Sequence, residues 1–302
     1  MKYTIAQLSR PGARQYNQDR VGHWATSDAL VMVVADGMGG HRHGDVAAQL
    51  ALAQMIEAFK RDAKPRLANP DIFLFRSIGR VHAMLHQEAR KLGLEETPRT
   101  VIVACVVQNG YAYWSHVGDS RLYLVRKGRV LSRTRDHTRV QLLLDHGLLR
   151  EEALATHPDR NKVLQCLGGD RPPRLAPASS ARLLENDIVL LCSDGLWGPL
   201  TQRQLLHSLI ARELEPAVAE LVALAETRGG RECDNVSAVA MCWGENEIAP
   251  ADEPHTLPFH ELPTDVQDLA AIEPDFLEMT DEDIERAIAD IRKALRKHTG
   301  AG

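Results

Sequence analysis

Three stretches of this chain leave little freedom in how it folds. Residues 29–35 (ALVMVVA), 101–107 (VIVACVV) and 188–192 (IVLLC) are nearly unbroken apolar runs of strand length. A strand with one wet face alternates apolar and polar residues, whereas an unbroken run has both faces buried. Layers of protein must therefore cover these strands on either side.

The other strands are marked by turns. Asn109-Gly110 follows 101–107 directly and predicts a tight hairpin into 111–117. Lys127-Gly128 separates 121–125 from 129–133 in the same manner, and 236–242 closes the list. Between the strands, helical stripes appear. Ile78, Val81, Leu85, Ala89 and Leu92 recur at spacings of three and four. So do Val46, Leu50, Ala53 and Ile56, and again Val218, Leu221, Val222 and Ala225. Strands, a helix pair, more strands, more helices and a last strand do not alternate as a parallel β-α sheet requires. The order predicts an α+β fold with largely antiparallel sheets packed face to face and helices outside.

Beyond Trp243 the character changes. Residues 245–302 hold 15 Asp/Glu against 5 Lys/Arg, while residues 1–244 hold 26 against 31. The segment 244–279 reads as an acidic, Pro-containing linker and 280–299 as an amphipathic helix. Thr280 and Asp283 resemble a capping box, acids crowd the first turn and bases the last. Ile284, Ile288, Ile291 and Leu295 form a stripe for docking on the body or a partner, and the acidic charge could compete with acidic ligands for the basic body. The remainder, 1–243, reads as one domain.

The chemical signal is a set of aspartates where apolar strands end. Asp36-Gly37 follows 29–35, Gly118-Asp119 follows 111–117, Ser193-Asp194-Gly195 follows 188–192, and Asp234-Asn235 precedes 236–242. A buried strand fixes its end, so a carboxylate there is held in place. Four such carboxylates on one rim would repel one another unless cations lay among them. Oxygen donors without clustered His or Cys select Mg²⁺, Mn²⁺ or Ca²⁺ over Zn²⁺, and the glycine after Asp36 would let a backbone carbonyl approach such an ion. A single Asp-Gly is ordinarily a turn; the set of four reads as a two-metal hydrolase, with the substrate left open.

The order of these motifs resembles that of the PP2C (PPM) family of metal-dependent protein serine/threonine phosphatases across almost all of 1–243. Arg14-Gln15-Tyr16-Asn17-Gln18-Asp19 is similar to its R-x-x-N-[EQ]-D opening. Asp36-Gly37-Met38-Gly39-Gly40-His41 is similar to the D-G-M-G-G-H of bacterial members. Residues 97–101, Gly118-Asp119-Ser120-Arg121, Asp136-His137-Thr138, Ser193-Asp194-Gly195-Leu196 and Asp234-Asn235 continue the series. The resemblance implies a four-layer α-β-β-α sandwich, two stacked antiparallel sheets flanked by helix pairs. It implies an enzyme that hydrolyses phosphoserine and phosphothreonine on proteins with a metal-bridging water or hydroxide and no phosphoenzyme. Two core Mg²⁺ or Mn²⁺ ions are implied, with a third in bacterial relatives. Asp36 would bridge the core ions, the Gly37 carbonyl would bind one, and Asp194 and Asp234 the other. Asp119 would form the third site with Asp194. Arg14 would hold the substrate phosphate, and Asp19 would orient metal-bound water from behind. A Ser/Thr kinase and its targets are the implied partners.

Met38 departs from the histidine that many animal members place there as a general acid; His41 and His43 are the nearby imidazoles. Residues 139–170 align with a flap beside the active site. Two other classes compete: a catalytically silent module keeping only the fold, and another two-metal phosphoester hydrolase such as a nuclease. Intact acids oppose the first, and a chain with 5% aromatics and no strong basic stripe opposes the second, so no nucleic-acid partner is expected. Five dispersed cysteines without C-x-x-C spacing read as reduced thiols packed in a core, Cys192 and Cys233 included. With no apolar run of about 18 residues and no apolar core at the N-terminus, the expectation is a cytoplasmic monomer away from membranes.

Overall fold

The computed structural model describes residues 1–244 except 39–42, 151–152, 154–156, 176 and 212. The linker and helix expected at 244–279 and 280–299 lie outside the described residues, apart from Gly244. The elements run β1 (Tyr3–Arg10), β2 (Asp19–Ala25), β3 (Ala29–Gly37), α1 (Gly44–Asp62), α2 (Pro70–Leu92), β4 (Thr100–Gln108), β5 (Tyr111–Val117), β6 (Arg121–Arg126), β7 (Arg129–Arg133), α3 (Arg139–Asp145), β8 (Ser179–Arg182), β9 (Ile188–Cys192), α4 (Asp194–Trp197), α5 (Gln202–Ala211), α6 (Leu214–Gly229) and β10 (Val236–Trp243). A 3₁₀ turn at Gly230–Glu232 links the last two.

Two five-stranded sheets result, ordered β1-β10-β9-β6-β7 and β2-β3-β4-β5-β8. Every pairing is antiparallel. The double burial read from the apolar runs has a direct cause. In β3, Ala29, Val31, Val33 and Ala35 face α1 and α2, while Leu30, Met32 and Val34 face the other sheet. In β9, Ile188, Leu190 and Cys192 face α5 and α6, while Val189 and Leu191 meet the inner face of the sheet that holds β3. The layers are helix, sheet, sheet, helix, as the α+β reading expected. Both hairpins use two-residue turns with positive φ at both positions: Asn109 (54°) with Gly110 (74°), and Lys127 (48°) with Gly128 (71°). That backbone matches the right-handed strand twist.

Three strands were not visible in the sequence pattern: β1, β2 and β8. All three are sheet edges. An edge strand is half solvated, so its residues mix polar with apolar and leave no continuous run. The stripe assigned to α1 also needs correction. Val46, Leu50 and Ala53 are only partly buried. The face on the sheet is one residue round, Ala47, Ala48, Ala51, Leu52, Met55 and Phe59, whose alanines let the helix lie close to β3. In α2, Ile78, Val81, Leu85 and Ala89 are buried as expected, but Leu92 is 58% exposed, because the helix stops there and Gly93 turns left-handed at φ 63°.

These placements separate two leucines that a sequence pattern treats alike. Leu191→Ala removes a fully buried side chain from between the sheets and is expected to cost about 2–5 kcal/mol. Leu92→Ala is expected to stay within about 0.5 kcal/mol of wild type. Urea denaturation midpoints measure both; equal losses would refute the four-layer core.

Candidate active site

Antiparallel pairing decides which strand ends meet. The C-terminal ends of β3, β5 and β9 and the N-terminal ends of β2, β4, β6 and β10 fall on one rim. That rim carries the aspartates. Asp36, Asp119, Asp194 and Asp234 line one cavity of about 650 Å³, together with Arg14, Gly37, Met38 and Asn161. Asp19 does not line it. Paired with Asp36 across β2 and β3, Asp19 is 1% exposed and lies beneath the cavity.

The two sheets are tied together under the site. Ser193, just past β9, donates its Oγ–H to Asp19 Oδ2 at 2.7 Å and accepts from the Ser237 backbone N–H at 3.1 Å. Asn235 accepts from the Gln18 N–H at 2.8 Å and donates to the carbonyls of Pro11 (3.0 Å) and Tyr16 (2.9 Å), which shapes the loop bearing Arg14. Thr100 Oγ1 donates to the Asp36 carbonyl at 2.7 Å. Asp119 is held from its backbone: Trp197 Nε1 donates to the Asp119 carbonyl at 2.9 Å. The Arg121 guanidinium stacks 3.4 Å over that indole and forks onto Asp136 at 2.8 and 2.7 Å. None of these supporting groups had an assigned role in the sequence reading. Ser193, Asn235, Arg121, Asp136 and Thr100 sat inside recognisable motifs, while Trp197 carried no distinguishing signal.

Gly37 has no room for a side chain, because a Cβ would sit 2.2 Å from the Gly44 carbonyl oxygen. Close packing against the start of α1 thus suffices to require glycine at this position. His43 is exposed at the left-handed N-cap of α1 and does not line the cavity; His41 lies outside the described residues. Cys192 and Cys233 are buried, and burial raises both thiols, which fits packing and not thiolate chemistry.

Burial and mutual repulsion act together on the acids. Burial, followed by the charges of Asp19, Asp194, Asp119 and Asp234, pushes the Asp36 carboxyl well above the usual range. Asp194 rises to about 6 through burial and Asp234. Asp119 rises to about 8 through burial, Asp194 and Asp136. Asp19 rises to about 7 from burial, against hydrogen bonds from Ser193 and Ser237. Arg14 forks onto Asp234 with Nε–Oδ1 at 3.0 Å and Nη2–Oδ2 at 2.8 Å, and its charge also works against the rise at Asp194.

Among the described residues no three His, Cys, Asp or Glu side chains close around a single point as a finished metal cage. The donors instead line an open cavity. Their chemistry nevertheless fits hard divalent ions: the acids are oxygen donors, and positive charge among them would offset the burial and mutual repulsion that raise Asp36, Asp119 and Asp194. The residues that could contribute are Asp36, Asp119, Asp194, Asp234 and the Gly37 backbone carbonyl.

Two stacked antiparallel sheets between helix layers, with an acid-lined cavity on the shared rim, define a class of two-sheet α+β hydrolases. A family model, protein phosphatase 2C, matches residues 9–232, and the chain belongs to that family. It is similar to the serine/threonine protein phosphatase PstP of Mycobacterium tuberculosis, 32% identical over 237 residues, 78% of this chain and 43% of that one. Protein phosphatase PhpP of Streptococcus pneumoniae is 30% identical over 236 residues, 76% of this chain and 93% of its own. The structure resembles a crystal structure of the PstP catalytic domain in complex with two manganese ions, with TM-score 0.68 and 27% identity, covering 80% of this chain and 97% of that one.

The raised carboxyls make stability depend on pH with a definite sign. Their folded pKa values exceed the unfolded value of about 3.9, so between them the folded state binds more protons. Stability is then fullest below about pH 4 for these groups and is lost as pH rises through about 6 to 8. In chelator-treated protein, the melting temperature is expected to fall from pH 5 to pH 8, and Asp36→Asn is expected to flatten that slope. A melting temperature that climbs over this range would refute the clustering.

Proposed function

We propose that this chain hydrolyses phosphoserine and phosphothreonine in proteins with two hard divalent ions, Mg²⁺ or Mn²⁺. The observation that carries this reading is the convergence of four aspartates with Arg14 on one cavity in a member of the protein phosphatase 2C family. Asp36 and the Gly37 carbonyl would hold one ion, and Asp36, Asp194 and Asp234 the other. Asp119, beside Asp194, would contribute to a third. Such ions supply Lewis-acid charge and lower the pKa of a coordinated water.

The chain's own residues do the positioning. Asp19, braced by Ser193 and paired with Asp36 beneath the cavity, would act from behind to orient water bound above it. Arg14 presents a planar fork to the substrate phosphate. In the structure this fork grips Asp234, yet that pair is 59% and 42% exposed, and exposed pairs contribute only about 0–1 kcal/mol. Exchanging Asp234 for phosphate therefore costs Arg14 little. Met38 lines the cavity but cannot donate a proton, so the leaving serine or threonine oxygen would take its proton from water.

The five cysteines are all free, which fits a reducing, cytoplasmic setting, and no described helix is long and apolar enough to cross a membrane. A Ser/Thr kinase and its targets are the natural source of substrate. The segments 244–279 and 280–299 would be an appended linker and helix.

A phosphothreonine peptide should be hydrolysed with Mn²⁺ and not in EDTA. Asp36→Asn is expected to lower kcat by about a thousandfold or more, since each 1.36 kcal/mol of lost charge stabilisation is tenfold. Arg14→Ala is expected to lower kcat/KM about 10–100-fold, the worth of a charged hydrogen bond, with Arg14→Lys restoring only part. Phosphate release measured with malachite green decides; full activity of Asp36→Asn would overturn the proposal.

A further inference from the structure

The acid cavity continues into a second hollow of about 1070 Å³, and Arg14, Asn161, Asp194 and Asp234 line both. This trough runs between the segment around α3 and the chain from α4 to α5. Its floor is apolar: Val140, Leu200 and Leu205 are buried there, with the Trp197 ring beside them. Its edge carries three exposed arginines, Arg133, Arg160 and Arg231. The other charged side chains of the trough are already engaged, Arg121 with Asp136 and Arg14 with Asp234. Among the described residues none of the three exposed arginines has an ion-pair partner at 4.0 Å or closer, and the acids left to oppose them are Glu232 and, at the end shared with the acid cavity, Asp194.

An apolar floor with unneutralised cations along its edge, opening directly onto the phosphate site, suits an extended acidic peptide. The geometry points to this trough as the seat of the residues that flank the phosphorylated side chain, selecting substrates with Asp, Glu or a second phosphate beside it. The inference rests on the phosphatase reading above and adds the class of sequence it accepts. A phosphate held by Arg14 places neighbouring residues of the same chain over Trp197 and between Arg160 and Arg231. Carboxylates there meet guanidinium groups that lack another partner, whereas lysines would meet like charge, so complementarity acts on rate of association and on choice of partner. The acidic segment 245–302 of this chain is a rival occupant of the same chemistry.

Phosphothreonine peptides with four flanking acids or four flanking lysines, compared in the full chain at low salt, test the trough. The acidic peptide is expected to have a kcat/KM about tenfold higher, a preference that fades by 0.5 M NaCl. The triple variant Arg133→Glu, Arg160→Glu, Arg231→Glu should abolish or reverse the preference while leaving turnover of p-nitrophenyl phosphate, which is too small to reach the trough, unchanged. Anisotropy of the same labelled peptides on Asp36→Asn reads the preference without turnover. Preference for acid that survives the triple variant overturns the inference. So does a triple variant that hydrolyses the acidic peptide faster than wild type, which would mark the trough as the berth of the chain's own acidic segment. A wild-type chain that binds acidic peptides in preference but fails to hydrolyse p-nitrophenyl phosphate would retain the trough and overturn the phosphatase reading.

Discussion

Repulsion among buried carboxylates is the constraint on which this molecule turns. Asp36, Asp119, Asp194 and Asp19 are each pushed above the ordinary carboxylate range, first by burial and then by one another. A fold could relieve that cost by letting the acids drift apart or by replacing one with an amide. Here they are held instead at strand ends fixed within the two sheets, with β3, β9 and β10 packed on both faces. The same rigidity that makes the site costly when bare makes it selective for small, hard, positive ions.

What holds the rim together is a set of short polar links between sheets whose interiors are purely apolar. Asp19 belongs to one sheet and Ser193 to the other, and the 2.7 Å bond between them crosses the seam. Asn235 performs a similar service for the loop that carries Arg14. Arg121 reaches from Asp136 across Trp197 to the backbone of Asp119. Buried polar networks are worthwhile only when each member is satisfied, and these meet that condition at the points where a displaced carboxylate would matter most. The weak contact is the exposed one between Arg14 and Asp234, and weakness there suits a residue that must trade partners.

Beyond the rim, charge is arranged in opposite senses at short range. The cavity floor is acidic and the trough beside it is edged with Arg133, Arg160 and Arg231. A phosphopeptide would thus meet two kinds of recognition, ions at its phosphate and arginines along its flanks.

The sequence by itself determined the layers and the identity of the acids. Unbroken apolar runs such as 188–192 can only lie between two layers, and the two hairpin turns were legible because Asn109-Gly110 and Lys127-Gly128 adopt the left-handed backbone locally. Motif order named Arg14, Asp19, Asp36, Asp119, Asp194 and Asp234 before any geometry existed. Edge strands β1, β2 and β8 escaped, because half-solvated residues carry no continuous apolar signal, and the buried face of α1 was read one residue off, because its contact is made by alanines that contribute little to an apolar stripe. Only the tertiary structure decided that Asp19 lies beneath the cavity while the other four face it, and that Ser193 joins two sheets. Those facts depend on antiparallel register within each sheet and on packing of one sheet against the other, which joins residues 174 positions apart, and no local pattern encodes a distance that only packing creates.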